Sequence, residues 1–123
     1  MDERVTQALE SEQTIDITTT GRKTGRPRRI EIWFHNLDGR RYITGRPRPR
    51  GWYANLLVNP KFTFHLKRSV KVDLAATAKP ITSETEKRAI LAKILRKQGS
   101  ESELEAWVRG SPLVEVEFDE KTS

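Results

Sequence analysis

Cysteine is absent from this chain of 123 residues, and histidine occurs only twice. Without cysteine the protein has no disulfide, no thiolate nucleophile and no cysteine-based zinc site. The two histidines, His35 and His65, lie in predicted strands, and no carboxylate is placed in the sequence to orient either ring. We interpret both as surface strand residues. The sequence therefore predicts no metal ion and no catalytic side chain.

Long apolar segments are also missing. No run of ~18 apolar residues that would span a membrane occurs, and the first residues, 1–4, lack the apolar core of a signal peptide. We therefore expect a cytoplasmic protein without a transmembrane segment. The sequence contains no HExxH zinc pattern, no GxSxG nucleophile elbow and no Walker phosphate loop. A reaction catalysed by this protein would thus need a bound cofactor to supply the reactive atom.

Positive charge is concentrated in one segment of the chain. Residues 21–50 contain ten basic and two acidic side chains, a net charge of +8, whereas the whole chain carries +6. Most of this charge lies in two glycine-containing segments, the first basic loop (residues 21–28) and the second basic loop (residues 44–51). Glycines let backbone amides approach an anion, and forked arginine donors suit phosphate and carboxylate groups.

The second basic loop leads directly into a predicted helix that begins with Trp52 and Tyr53. The N-terminus of a helix favours an anion, so we expect the two basic loops to meet at one end of a sheet and hold an anionic group. Trp52 and Tyr53 would then lie beside a planar ring. Two other interpretations stay open: Trp52 anchors its helix in the core, and the loops are solvated turns.

The apolar pattern predicts one α+β domain over residues 1–123, with an antiparallel sheet closed as a small barrel or folded as a roll. Residues 1–13 form a short helix or a loose arm. Alternating apolar residues predict strands at 14–20, 28–35, 41–44, 61–67, 70–74 and 113–118. Helical spacing predicts a short helix at 52–58 and two further helices before the last strand. Capping boxes at Ser83 and Ser100 begin these two helices, and Gly99 ends the first.

Several sequence blocks resemble the deazaflavin-dependent nitroreductase family. They are TTGRKTGRPR at residues 19–28, Asp38-Gly39 followed by Tyr42, and WYANLLVNP at residues 52–60. The resemblance extends from about residue 15 to residue 118. Two features depart from the family pattern: the loop before Trp52 reads TGRPRPR in place of a Ser-Lys-Gly-Gly type, and the C-terminal segment has no tyrosine.

The resemblance implies an antiparallel split β-barrel of the FMN-binding, flavin-reductase-like type. It also implies an oxidoreductase that transfers hydride from reduced coenzyme F420, an 8-hydroxy-5-deazaflavin with an anionic phosphate and polyglutamyl tail, to an electron-poor small organic acceptor. No side-chain acid or base is implied, and Trp107 covers the substrate. The implied cofactor-binding residues are Lys23, Thr24, Arg28, Thr44, Gly45, Arg46, Trp52 and Asn55.

Three alternatives remain at this stage. Relatives of the broader superfamily bind FMN, haem or biliverdin, so the protein could bind FMN or serve as a non-catalytic ligand-binding protein. A remote alternative is nucleic-acid binding through the basic loops and the neighbouring aromatic rings. The charge lies in two compact turns and leaves −2 on the rest of the chain, which argues against a long phosphate track.

Trp33 would be exposed unless a homodimer partner or the Ser83 helix covers it.

Overall fold

Six antiparallel strands close into a barrel in the order β1-β2-β3-β6-β5-β4, with β4 pairing back onto β1. The computed structural model describes residues 1–119, so the predicted domain of residues 1–123 extends four residues beyond the described part. The strands are β1 (Thr14–Thr20), β2 (Pro27–Leu37), β3 (Arg40–Thr44), β4 (Lys61–Leu66), β5 (Val72–Pro80) and β6 (Leu113–Phe118). This architecture confirms the predicted fold class.

Four helices accompany the barrel. They are α1 (Glu3–Ser11), α2 (Gly51–Val58), α3 (Glu84–Gln98) and α4 (Leu104–Gly110). The order of elements agrees with the sequence pattern, with a short helix after the third strand and two helices before the last. No helix in residues 1–119 has both the length and the apolar character required to cross a membrane.

Two hydrophobic cores hold these elements together. Alternate residues of the strands point into the barrel, where Phe34 and Phe64 meet edge to face with their ring centroids 5.2 Å apart. Trp52 and Leu56 of α2 belong to the same core. A second core lies between α3, α4 and the outer side of β3, and it contains Tyr42 and Trp107. This second core fixes α4 beside the second basic loop.

The barrel is open along half of β2. Residues 27–33 of this strand pair with β1, whereas only residues 34–37 pair with β3. Within residues 1–119, the first half of β2 therefore has one edge without a strand partner. Ile30, Ile32 and Trp33 lie along this half, and each of them lines a cleft described below.

Two local predictions are wrong. Ser100 does not cap α4: its side chain makes no capping hydrogen bond, and a 3-10 turn (Glu101–Glu103) precedes the helix. Its backbone has φ −116° and ψ 32°, outside the extended conformation that an N-cap serine needs. The Ser100 amide instead donates to the Leu95 carbonyl and closes the end of α3 together with Gly99 at φ 73°. The fifth strand begins two residues later than predicted and extends to Pro80, because its second half pairs with β6. The predicted cap at Ser83 is confirmed, since its hydroxyl accepts from the Glu86 amide at 3.4 Å.

Candidate cofactor-binding clefts

The two basic loops meet in one cleft of about 690 Å³, here called the loop cleft. The end of β1, both loops, the open half of β2 and the start of α2 form its walls. Five of its lining residues are cationic, and no described residue that lines it is acidic. The cations are Arg22, Lys23, Arg28, Arg48 and Arg50. The sequence-based expectation that the loops lie at the same end of the sheet is therefore confirmed.

A tight turn shapes the first basic loop. The Gly21 amide donates to the Arg26 carbonyl and the Gly25 amide donates to the Gly21 carbonyl, both at 2.8 Å. Gly25 has φ 71°, a conformation that L side chains rarely adopt. A Cβ on Gly21 would lie only 2.8 Å from Thr24 Oγ1. Both glycines are thus required for the turn that carries Lys23 into the cleft.

Asn55 joins this turn to α2. Its Oδ1 accepts from the Arg22 amide at 3.1 Å and from Arg22 Nη1 at 3.0 Å. Its Nδ2 donates to Thr19 Oγ1 at 3.1 Å. Both ends of the buried amide are therefore occupied within the protein and tie the first basic loop to α2. Asn55 also lines the loop cleft.

Arg50 is the last cation of the second basic loop, and its guanidinium group is partly enclosed by the protein. Its Nη2 donates to the Arg46 carbonyl at 3.1 Å, and its buried Nε has no hydrogen-bond partner among the described residues. Burial, followed by the charges of Arg48 and Arg46, lowers the pKa of Arg50 below its ordinary value. Uncompensated positive charge of this kind is stabilised by an anion.

The start of α2 adds backbone donors to the same wall. No side chain caps this helix at Arg50, so its first-turn amides retain capacity for an external acceptor. A Cβ built on Gly51 would meet nothing within 4 Å, which shows open space in front of the helix.

A second cleft of about 660 Å³, here called the Trp33 cleft, adjoins the loop cleft. Arg50 and Trp52 line both clefts and form the wall between them. The Trp33 side chain is 53% exposed, so the alternative in which the α3 helix covers it is wrong. His35 and Lys97 bring polar groups to the same cleft.

The structure divides the predicted site residues between the two clefts. Lys23, Thr24, Arg28 and Asn55 line the loop cleft. Thr44, Gly45, Arg46 and Trp107 line the Trp33 cleft. Trp52 lines both clefts, and its burial in the barrel core confirms the interpretation that it anchors its helix there.

Two of the predicted residues that line the Trp33 cleft are already engaged by side-chain hydrogen bonds within the protein. The Thr44 hydroxyl donates to the Pro112 carbonyl at 2.5 Å. The Trp107 indole donates to Glu103 Oε1 at 3.2 Å, and its ring is largely buried in the second core. Both residues line the wall of the Trp33 cleft with these polar groups occupied.

Sequence reasoning placed Arg22, Arg48 and Arg50 in the basic loops expected to hold an anion, but it did not include them among the individual cofactor-binding residues. All three line the loop cleft. It also missed His35 and Lys97 in the Trp33 cleft. A signal for Arg50 was present, because it directly precedes the helix that begins at Gly51. No sequence pattern indicated Lys97, which lies at the far end of α3 and reaches the Asn36 carbonyl at 3.4 Å.

The interpretation of His65 as a surface residue is wrong, whereas His35 is half-buried at the wall of the Trp33 cleft. His65 is buried, with Nδ1 2.7 Å from Asp73 Oδ1 and Nε2 2.7 Å from Thr18 Oγ1. Asp73 orients the ring because the two residues are opposite each other in the β4–β5 pairing. Burial, and secondarily the charge of Lys97, lowers the pKa of His35 to about 4. His35 is therefore neutral near pH 7.

Residues 1–119 match the model of the family described as F420H(2)-dependent quinone reductase. The chain belongs to this family. Membership confirms the resemblance to deazaflavin-dependent enzymes and supports a deazaflavin-dependent reductase, and hence an oxidoreductase.

Solved structures with low sequence identity share the fold of this family member. A conserved hypothetical protein from Mycobacterium tuberculosis has a TM-score of 0.77 at 14% identity, covering 98% of this chain and 82% of that one. A FAD-binding protein from Mesorhizobium loti has a TM-score of 0.69 at 12% identity, with coverages of 98% and 91%. HutZ, the heme storage protein from Vibrio cholerae, has a TM-score of 0.68 at 11% identity, with coverages of 98% and 91%.

The residues of the loop cleft fit the anionic cofactor that the family uses. The cleft offers five cations without a lining carboxylate, the unpartnered Nε of Arg50 and the uncapped start of α2. Phosphate and carboxylate oxygens accept hydrogen bonds from all three kinds of donor. The apolar faces of Ile30 and Trp52 border the same space and suit a planar ring.

Proposed function

We propose that the protein transfers hydride from reduced coenzyme F420 to an electron-poor small organic acceptor of the quinone class. The observation that carries this proposal is the convergence of the two basic loops on a single cleft, next to a second cleft with exposed aromatic surface. Family membership supports the cofactor and the class of acceptor.

The loop cleft would hold the anionic part of the cofactor. Lys23 offers a compact charge, whereas Arg28 and Arg48 offer forked donors suited to phosphate and carboxylate oxygens. Hydrogen bonds between charged partners contribute about 1.5–3 kcal/mol each. Several such contacts would fix the cofactor and restrict the position of its ring, which is the main service that a protein provides to a cofactor.

The Trp33 cleft would receive the acceptor. Ile32 and Trp33 provide apolar and aromatic surface for a flat molecule, and Trp52 forms the wall shared with the loop cleft. When bound, the reduced deazaflavin supplies the hydride from its central ring carbon. Arg50 and Lys97 place positive charge along the acceptor cleft, which favours the negative charge that develops on an acceptor oxygen.

No side chain needs to act as an acid or base in this proposal. Neutral His35 is a poor proton donor near pH 7 because its pKa is lowered to about 4. Solvent can supply the proton that completes reduction of a quinone, because Trp33 is exposed and its cleft is therefore open to water. The protein contributes through placement and charge.

A titration followed by a turnover assay tests this function. Oxidised deazaflavin is added to the protein and binding is followed by ring fluorescence. Reduced cofactor and a simple quinone are then mixed with enzyme, and reoxidation is followed by the returning visible absorbance. We expect Lys23→Met with Arg28→Met to weaken binding about 100-fold. Arg26→Gln is the matched control, because Arg26 is exposed in the same turn and does not line the cleft.

FMN binding is the second candidate. A FAD-binding protein shares the fold of this chain, and FMN carries a phosphate that suits the same cations. The same titration with FMN distinguishes the two cofactors. Tighter binding of FMN than of deazaflavin, without turnover of reduced deazaflavin, would replace the first proposal with this one.

A further inference from the structure

A third cleft lies on the other side of the second basic loop. It has a volume of about 500 Å³ and is here called the Ser111 cleft. The loop, Lys87 of α3 and the junction between α4 and β6 form its walls. It shares Arg48, Pro49 and Arg50 with the loop cleft, so the two clefts lie on opposite sides of one segment.

The charge of the Ser111 cleft is strongly positive. Arg48, Arg50, Lys87 and Arg109 line it, and none of its described lining residues is acidic. None of these four cations forms a salt bridge with a carboxylate in residues 1–119. The charge of Arg109 lowers the pKa of Glu105 from a distance, without a salt bridge between them. Glu105 is hydrogen-bonded to Arg88. Burial lowers the pKa of Lys87, which indicates a charge partly withdrawn from water.

A buried hydroxyl supplies the second and independent observation. Ser111 is only 2% exposed, lines the cleft, and its Oγ has no hydrogen-bond partner among the described residues. Its backbone amide is already used, donating to the Trp107 carbonyl at 2.9 Å. Buried hydroxyls in proteins are nearly always paired, because leaving one unpaired is unfavourable. An acceptor atom in the cleft would satisfy it.

Close packing builds this cleft. A Cβ on Gly110 would lie 3.0 Å from Pro47 Cβ, so the second basic loop packs directly on the end of α4. That contact holds Arg48 and Arg50 on the same side as Arg109 and Ser111. The cations are therefore gathered by tight packing at a fixed junction.

We propose that the Ser111 cleft binds an oxyanion, a carboxylate or a phosphate group, at a site separate from the loop cleft. The Ser111 hydroxyl donates one hydrogen bond to the anion, and Lys87 and Arg109 supply the charge. Arg48 and Arg50 lie between this anion and the loop cleft. The proposal does not depend on the identity of the cofactor.

Nuclear magnetic resonance titration of the full chain with inorganic phosphate, and separately with glutarate, tests this site. Backbone amide signals of Gly110 and Ser111 report the Ser111 cleft, and those of Gly21 and Lys23 report the loop cleft. We expect both sets to shift on addition of an anion. In the double variant Lys87→Met with Arg109→Met, the anion dissociation constant reported by the Ser111 amide should rise at least tenfold. The constant reported by the Lys23 amide should stay within twofold.

In the reciprocal variant, Lys23→Met with Arg28→Met, anion binding reported by the Gly21 amide should weaken, while binding reported by the Ser111 amide should stay within twofold. Ser111→Ala should raise the melting temperature in anion-free buffer, because it removes an unpaired hydroxyl, while weakening phosphate or glutarate binding several-fold. A Ser111 signal that neither anion shifts, or a shift unchanged in the Lys87/Arg109 variant, would overturn the proposal. Deazaflavin titration in phosphate-free buffer tests the proposed function separately, so the two failures are distinguishable.

Discussion

The absence of a side chain at Gly45 makes room for the guanidinium group of Arg50. A Cβ built on Gly45 would lie 3.1 Å from Arg50 Nε and 3.2 Å from both Cζ and Nη2. Gly45 does not have a positive φ, so its backbone imposes no need for glycine. The space is therefore used by Arg50, which lines all three clefts.

Gly45→Ala should displace Arg50 without unfolding the protein. The group in contact is the far end of a flexible side chain, so it can move at little cost to the fold. Loss of one charge-assisted contact is expected to weaken deazaflavin binding about tenfold, or about 1.4 kcal/mol. Fluorescence titration measures the dissociation constant, and thermal unfolding checks the fold.

A double-mutant cycle with Arg50→Met supplies the control for this substitution. If Gly45→Ala acts through Arg50, it should add little to the effect of Arg50→Met, because the two changes remove the same contact. Fully additive losses would show that Gly45 has a separate role and would contradict this account of the residue.

Asn55→Ala should destabilise the protein by about 2 kcal/mol, because Thr19 and the Arg22 amide each lose a partner in a buried environment. Urea unfolding measures the change. The cofactor affinity should fall as well, since the first basic loop loses its tie to α2. Asn59→Ala is the matched control at the end of the same helix. Unchanged stability together with lost cofactor binding would instead identify Asn55 as a direct ligand.

The half-buried His35 predicts a loss of stability in mild acid. Its pKa is about 4 in the folded protein, below the ordinary value of 6.5. Between these two values the unfolded chain binds more protons than the folded one, so the free energy of unfolding falls as the pH drops from 6.5 towards 4. Allowing for partial exposure of the ring, the His35 contribution at about pH 4.5 is a loss of about 1–2 kcal/mol relative to neutral pH.

His35→Gln isolates this effect. Urea unfolding of both proteins near neutral pH and at about pH 4.5 should show a smaller acid loss in the variant. Asp16 and Glu105, whose pKa values are lowered by cationic partners, begin to lose their stabilising contribution only as the pH falls to their ordinary values of 3.8 and 4.5, and both proteins share that loss. An equal pH dependence in both proteins would contradict the assignment to His35.

The His65 contacts are expected to stabilise the barrel and to play no part in turnover. His65 joins β4 to Asp73 of β5 and to Thr18 of β1, and it does not line any of the three clefts. Asp73→Ala should cost about 1 kcal/mol of stability by removing one hydrogen bond. The rate of quinone reduction at saturating substrates should stay within twofold. A tenfold loss of rate in a folded variant would show a catalytic role that the geometry does not indicate.

Local patterns were sufficient to predict most of the fold. Alternating burial in β1 and the capping hydroxyl of Ser83 follow from short-range rules, and the structure bears both out. The capping box at Ser100 failed because this residue ends the preceding helix and its backbone is not extended, as an N-cap requires. The extent of β5 failed because pairing with β6, nearly forty residues away, decides where that strand ends.

The sequence was sufficient to predict the positive charge of the candidate site but not its separation into the loop cleft and the Trp33 cleft. Charge density and glycine spacing were enough to predict that the two basic loops would share a cleft, as they do. The separation into two clefts by Arg50 and Trp52 depends on how α2 sits in the open side of the barrel, which no local pattern encodes. The His65–Asp73 pair likewise depends on strand register, which brings opposite residues together only once the hairpin has formed.

The most direct test of the account compares two ligands that share the deazaflavin ring. One is the complete cofactor with its phosphate and glutamyl tail, and the other is its hydrolysed form without them. We predict that the wild-type protein binds the complete cofactor at least about 100-fold more tightly, and that this preference falls below about tenfold in Lys23→Met with Arg28→Met. Equal affinity of the wild-type protein for both ligands would contradict the claim that the two basic loops bind the anionic part of the cofactor.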